Sequence, residues 1–251
     1  AAMREKELRL ALVCYGGVSL AVYMHGITRE VWHLARASRA FHDGVTPADP
    51  LEAAYVDLLA VIERDGALKL RVLADIVAGA SAGGINGIFL AQAIASGQSL
   101  DPLTTLWLEC ADADVLLDAQ ARGSSRFSKL WAVPIARAFA QRQGGGWEAG
   151  IDAETRDEIH AKLARFVRAR WFEPPFGGAQ FSRMLLHAFD AMAAGPVGAR
   201  LLPDEQPLDL FVTVTDFRGH PEHLPIHSPP LIVETEHRLT LAFRDAPTDA
   251  E

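Results

Sequence analysis

The stretch that most restricts the fold runs from Leu70 to Ala95. Leu70 to Ala78 (LRVLADIVA) is a short apolar run suited to a buried strand, and it passes directly into Gly79-Ala80-Ser81-Ala82-Gly83. Beyond it, Ile85 to Ala95 is small and apolar, as in a packed helix. Strand, sharp turn and helix in that order belong to a layered α/β fold. Gly79 and Gly83 remove the side chains that would clash where the strand meets the helix at a tight angle, which places Ser81 at the helix N-terminus.

The rest of the chain repeats this alternation. Leu8 to Tyr15 (LRLALVCY) predicts a first strand covered on both faces and closed by Gly16-Gly17. From Val18 the apolar spacing lengthens to that of a helix, through Val22, Ile27, Val31 and Trp32, and decays at His42-Asp43-Gly44. Ala53 to Ile62 predicts a second helix ended by Asp65-Gly66; Asp101 to Asp118, Thr155 to Arg170 and Phe181 to Ala194 predict three more. Strands return late, at Leu208 to Thr215 (LDLFVTVT) and Leu231 to Phe243, which are β-branched, aromatic or alternating. The expectation is one α/β domain over residues 1–251, with a central, largely parallel sheet flanked by helices. Its weakest seam is Gln141 to Gly150.

Composition removes several classes of function. With 251 residues, 49% hydrophobic and 22% charged, the chain can bury a sizeable core, and a formal charge of −8 argues against a general affinity for nucleic acid. Cys14 and Cys110 stand far apart and in no metal-ligand spacing, so no disulfide framework or zinc site is expected and a cytoplasmic, reducing compartment is the better fit. Leu8 to Ile27 imitates a membrane span, but Arg9, Ser19, His25 and the Gly16-Gly17 pair interrupt it. Any contact with lipid is therefore expected to be peripheral.

A serine hydroxyl becomes a useful nucleophile when it is exposed, held against a base and set beside donors for the oxyanion formed on the attacked carbonyl. The G-x-S-x-G turn supplies the exposure, and the helix beginning at Ser81 adds positive potential and free amides. The same pentapeptide also occurs in phosphate loops and ordinary turns; its place between strand and helix favours the nucleophile. A second glycine turn, Tyr15-Gly16-Gly17-Val18-Ser19, opens at the same strand-to-helix edge, where α/β sheets bind ligands. Alone it is a plain connection. Coupled to Ser81, the amides near Gly16, Gly17 and Val18 form a candidate oxyanion hole.

This pair of turns resembles the patatin-like phospholipases, which combine a glycine-rich turn after the first strand with a G-x-S-x-G elbow. Val13 to Gly26 (VCYGGVSLAVYMHG), Asp75 to Gly87 (DIVAGASAGGING) and Leu208 to Gly219 (LDLFVTVTDFRG) fall in that family's order and look most like a bacterial patatin-related branch. The resemblance implies a three-layer sandwich, a lipid or acyl-ester substrate, no cofactor and a Ser-Asp dyad with Ser81 as nucleophile. Two departures stand out. Tyr15, Ser19 and Leu20 occupy positions where the family has a glycine, a basic residue and a glycine, and no Asp-Gly-Gly or Asp-Gly-Ala follows Ser81. Asp65-Gly66-Ala67 matches by letters but precedes the serine, and Asp216 resembles a structural aspartate that the family carries before the catalytic one. The implied base then lies outside this sequence, and the chain is expected to be a piece of a longer protein. The alternative is a patatin-fold module that binds without catalysis.

Other residues carry weaker signals. A triad can be drawn from Ser81, Asp216 and His220 or His237, while His220, His223 and His227 sit among prolines where a solvent-facing loop is the ordinary reading. They lack the carboxylate or cysteine spacing of a metal site. The basic face of Thr155 to Arg170, followed by Trp171-Phe172, suits either an anionic lipid surface or plain solvation. Trp32, Trp107 and Trp131 are expected in the core.

Overall fold

The structure is a computed structural model and describes residues 4–17, 20–110 and 178–246. The chain divides into two compact units, residues 1–111 with 187–251 and residues 112–186. The account below concerns the first. The seam at Gln141 to Gly150, the Thr155 to Arg170 helix, Trp171, Phe172 and Trp131 lie outside the described residues.

Among the described residues four strands form one mixed sheet in the order β1-β2-β3-β4. β1 (Arg4–Cys14) runs parallel to β2 (Leu68–Ala80), and β2 runs parallel to β3 (Leu208–Pro225) from Ile76 opposite Asp209 to Ala80 opposite Thr213. β4 (Leu231–Asp245) returns antiparallel beside β3. The α/β expectation therefore holds. The sheet is parallel up to β3, and the closing hairpin makes it mixed.

Between β1 and β2 come α1 (Ala21–Asp43) and α2 (Pro50–Gly66). α1 ends at Gly44, whose left-handed φ of 68° lets its N–H return to the last carbonyls of the helix. Asp49 caps α2, its carboxylate accepting from the N–H groups of Leu51 at 2.8 Å and Glu52 at 3.2 Å, with Pro50 in the first turn where its missing N–H costs nothing. α3 (Ser81–Ser96) follows β2 directly, then α4 (Pro102–Cys110), and α5 (Gly178–Ala194) precedes β3.

Glycine sets how closely α3 lies on the sheet. A methyl group added at Gly87 would meet Val77 Cγ1 at 3.1 Å, and one at Gly84 would meet Val212 Cγ1 at 3.3 Å. Val77 and Val212 thus face α3, and α1 packs on both α3 and β2. Because strand side chains alternate, Ile76 and Phe211 face the other way, and so does Val13, which is in register with Ala78. All three are exposed. Above α3, Phe89 meets the rings of Trp107 and Phe189 edge-on, and Trp32, Leu90, Ile94, Leu103 and Met192 complete the core.

One irregularity fastens the sheet. The β1–β2 register slips between Leu10 and Ala11, leaving Asp75 without a partner on β1. Asp75 is buried, and its carboxylate accepts from Arg9 Nε at 2.7 Å, Arg9 Nη2 and Gln206 Nε2 at 2.8 Å. A buried carboxylate left unpaired would be strongly unfavourable, so these donors hold β1 and the segment before β3 against β2.

Two expectations need correction. β1 is not covered on both faces: among the described residues it pairs only with β2, and it is exposed from Arg4 to Arg9, with Leu10 and Leu12 half-buried and Cys14 buried, which accounts for the charged Arg4-Glu5-Lys6-Glu7 inside it. The proline-rich segment with His220 and His223 is not a loop but the outer half of β3, paired with β4 from His220 opposite Glu236 to Pro225 opposite Leu231. Proline is tolerated there because β2 has ended and that edge needs no donor. His227 lies in the hairpin turn, and Leu8 to Ile27 is strand, turn and helix start. No helix among the described residues is long and apolar enough to cross a membrane.

His25 provides a test of the α1–α4 contact. It is buried with Nε2 2.9 Å from Thr104 Oγ1, and its pKa is pushed down to about 4, chiefly by burial and then by Arg29, with Asp101 pulling the other way. Between pH 6.5 and about 4 the unfolded chain takes up a proton that the native chain refuses. Stability is therefore full above pH 6.5 and falls by about 3 kcal/mol as pH drops through that window. Urea unfolding at several pH values should show this loss, and His25→Gln should remove most of the slope.

Candidate active site

Ser81 is the first residue of α3, is exposed, and has φ 54°, a left-handed conformation that is unfavourable for a residue with a side chain. The cause is the geometry of the turn. Ala80 is still extended at φ −134° and ψ 148°, and the helix begins one residue later, so Ser81 takes the whole change of direction. No side chain caps the helix. Its first-turn amides are left for whatever lies beside Ser81.

Three glycines permit the turn. A methyl at Gly79 would come within 2.6 Å of the Gly83 carbonyl oxygen, and one at Gly83 would overlap the Cys14 carbonyl and lie 2.9 Å from the Tyr15 oxygen. A methyl at Gly16 would overlap both the Ala80 carbonyl oxygen and Ser81 Cβ. The end of β1 and the elbow after β2 thus meet backbone to backbone, and Gly16 lies directly beside the serine. Gly17 is different: a side chain there would meet only Leu20, at 3.4 Å. Its carbonyl accepts from Leu20 N–H at 2.9 Å, closing the turn into α1. Among the described residues no acceptor takes the Gly16 or Gly17 N–H. Val18 lies outside the described residues.

Asn86 contributes a support that the sequence reading passed over. Buried in α3, it donates from Nδ2 to the carbonyls of Ala21 at 3.1 Å and Ala82 at 3.0 Å, joining the start of α1 to the first turn of α3. The available signal was an amide side chain inside an otherwise small and apolar helix.

The candidate bases do not converge on Ser81. Asp216 Oδ1 accepts from its own neighbour's amide, Arg218 N–H, at 3.0 Å, and His237 Nδ1 lies 2.9 Å from the Asp216 peptide oxygen rather than its carboxylate. The triad drawn through Asp216 and His237 is therefore not assembled, and His220 is taken up in the β3–β4 ladder. Asp65 ends α2 beside the start of β2, whereas Ser81 follows the end of that strand, about 40 Å away along an extended chain of this length. Among the described residues no hydrogen bond engages the Ser81 hydroxyl, and no group of three His, Cys, Asp or Glu is placed to hold a metal. Cys14 is buried, and burial pushes its thiol pKa up, away from the thiolate.

Over 124 residues the chain is 37% identical to a protein of Mycobacterium tuberculosis described as an uncharacterized membrane protein. The match covers 45% of this chain and 11% of the relative. The chain matches no protein-family model, and no solved structure matches it.

The strain at Ser81 can be measured. Ser81→Gly removes a side chain from a left-handed position, whereas Ser81→Ala keeps the Cβ there. The glycine variant should be the more stable of the two by about 1 kcal/mol in urea unfolding. Gly16→Ala should lower stability by about 2 kcal/mol or more, because backbone rather than a flexible side chain must give way.

Proposed function

We propose that the chain is the nucleophile-bearing part of a patatin-like lipid acyl hydrolase with a three-layer sandwich fold. The observation that carries this reading is Ser81 itself: exposed, held at φ 54° at an uncapped helix N-terminus, with Gly16 against its Cβ. Strain at an exposed polar residue is sustained by close glycine contacts on both sides, a cost more readily understood at a reacting group than at a connection.

In this reading Ser81 Oγ attacks an ester carbonyl, and the N–H groups around Gly16, Gly17 and Val18, with those opening α3, receive the negative charge on the carbonyl oxygen. The hydroxyl proton passes to an aspartate outside this sequence, which then protonates the departing alcohol. Water repeats the attack on the acyl-enzyme, with the same aspartate accepting its proton, and regenerates Ser81. The chemistry calls for no metal or organic cofactor. An acyl lipid at a membrane surface is a fitting substrate class, with the protein in the cytoplasm and touching the membrane peripherally; the relative's description as a membrane protein is compatible with this.

A second reading is favoured by one observation, the lack of any base at the Ser81 hydroxyl among the described residues. On that reading the fold is an interaction module. A fluorophosphonate probe on the full-length protein separates the two. Strong labelling that disappears in Ser81→Ala supports the hydrolase; equal labelling of both proteins, or none of either, supports the module.

A further inference from the structure

Among the described residues β4 ends the sheet with an open edge and an apolar stripe. Leu231, Val233, Leu239, Leu241 and Phe243 fall at alternating positions on one face, and their exposures of 51, 57, 41, 39 and 55% are high for large hydrophobic residues spaced regularly along one strand. Register puts Leu239, Leu241 and Phe243 opposite Val214, Val212 and Leu210, hence on the α3 face of the sheet. A long edge of this kind, bent where the β3–β4 register shifts, is a template for another strand unless something covers it.

The order of residues along β4 indicates which strand fits. In an antiparallel pair made by one strand with its own copy, the two-fold axis passes through a residue that faces itself. With the axis at His237, Leu231 faces Phe243, Val233 faces Leu241 and Glu236 faces Arg238. Apolar residues meet apolar residues in the two outer pairs of the stripe, Leu239 faces Thr235, and the opposed charges pair twice by symmetry. Moving the axis one residue either way sets Glu236 against Glu236 or Arg238 against Arg238. Within a single chain Glu236 already accepts from the Arg238 N–H at 2.6 Å, with Arg238 Nη2 3.8 Å away. Pairing transfers that carboxylate to the guanidinium of the other copy and frees the amide for the ladder.

We infer that β4 joins two copies of this chain edge to edge, in antiparallel register about His237. The inference is independent of any chemistry at Ser81. Sedimentation of the full-length protein should show a concentration-dependent dimer. Glu236→Arg and Arg238→Glu should each weaken it on the order of tenfold or more, since each places like charges opposite one another at two symmetric positions. An equimolar mixture of the two variants should recover dimer, because every facing pair is then opposite in sign. His237→Cys should give a disulfide-linked dimer under mild oxidation and Leu239→Cys should not, with the wild-type chain as the blank for Cys14 and Cys110. A monomer at all concentrations, which would assign the edge to another occupant, overturns the inference. So does a dimer indifferent to both charge reversals, or cross-linking equal at the two cysteine positions.

Discussion

The candidate site depends on how closely two stretches of backbone approach. β1 and β2 are neighbours throughout, but only where both end do their connections touch, with Gly83 against the carbonyls of Cys14 and Tyr15 and Gly16 against Ala80 and Ser81. Neither contact leaves room for a Cβ. Because the contacting atoms are backbone, no rotamer change can relieve a larger residue, and the positions of turn and elbow are coupled. The left-handed φ of Ser81 follows from the same closeness: α3 must start within one residue of the strand for Gly83 to reach the end of β1.

The rest of the unit supports that junction from a distance. Asp75 sits where the β1–β2 register slips, six residues before Ser81, and its bonds to Arg9 and Gln206 join two strands and the entry to β3. Arg9 is half exposed, so its charge is largely screened; the buried carboxylate has more to lose from an unmade bond than the guanidinium has. Asn86 does the corresponding work inside the helical layer. Both residues are polar groups in apolar surroundings, and both fix a register that hydrophobic packing alone leaves free to slide.

What the sequence reveals follows from the range of each interaction. β2, the elbow and α3 are legible because apolar run, glycines and small-residue helix are contiguous. The glycine turn after β1 is legible for the same reason, although its contact with Ser81 is not, since no local pattern announces that Gly16 must lack a Cβ. The charged start of β1 escapes because an edge strand does not need apolar residues on both faces, and the outer half of β3 escapes because prolines read as loop unless the unpaired edge is known. The link from Asp75 to Gln206 spans 131 residues and has no signature in either segment.

The arrangement of possible bases says more than their number. Thr213 lies opposite Ala80, so Asp216 emerges from the same end of the sheet as Ser81. Yet its carboxylate is bound to the Arg218 amide, and its peptide oxygen is met by His237, at the bend where the β3–β4 register shifts and Gly219 takes φ 72°. An aspartate used to shape a bend is held by the donors that shape it, and turning it toward Ser81 would leave the Arg218 amide without its partner. The geometry therefore separates two roles that an acidic residue can play at this edge. Asp216 serves the hairpin, and among the described residues Ser81 stays exposed at the elbow without an acid turned toward it.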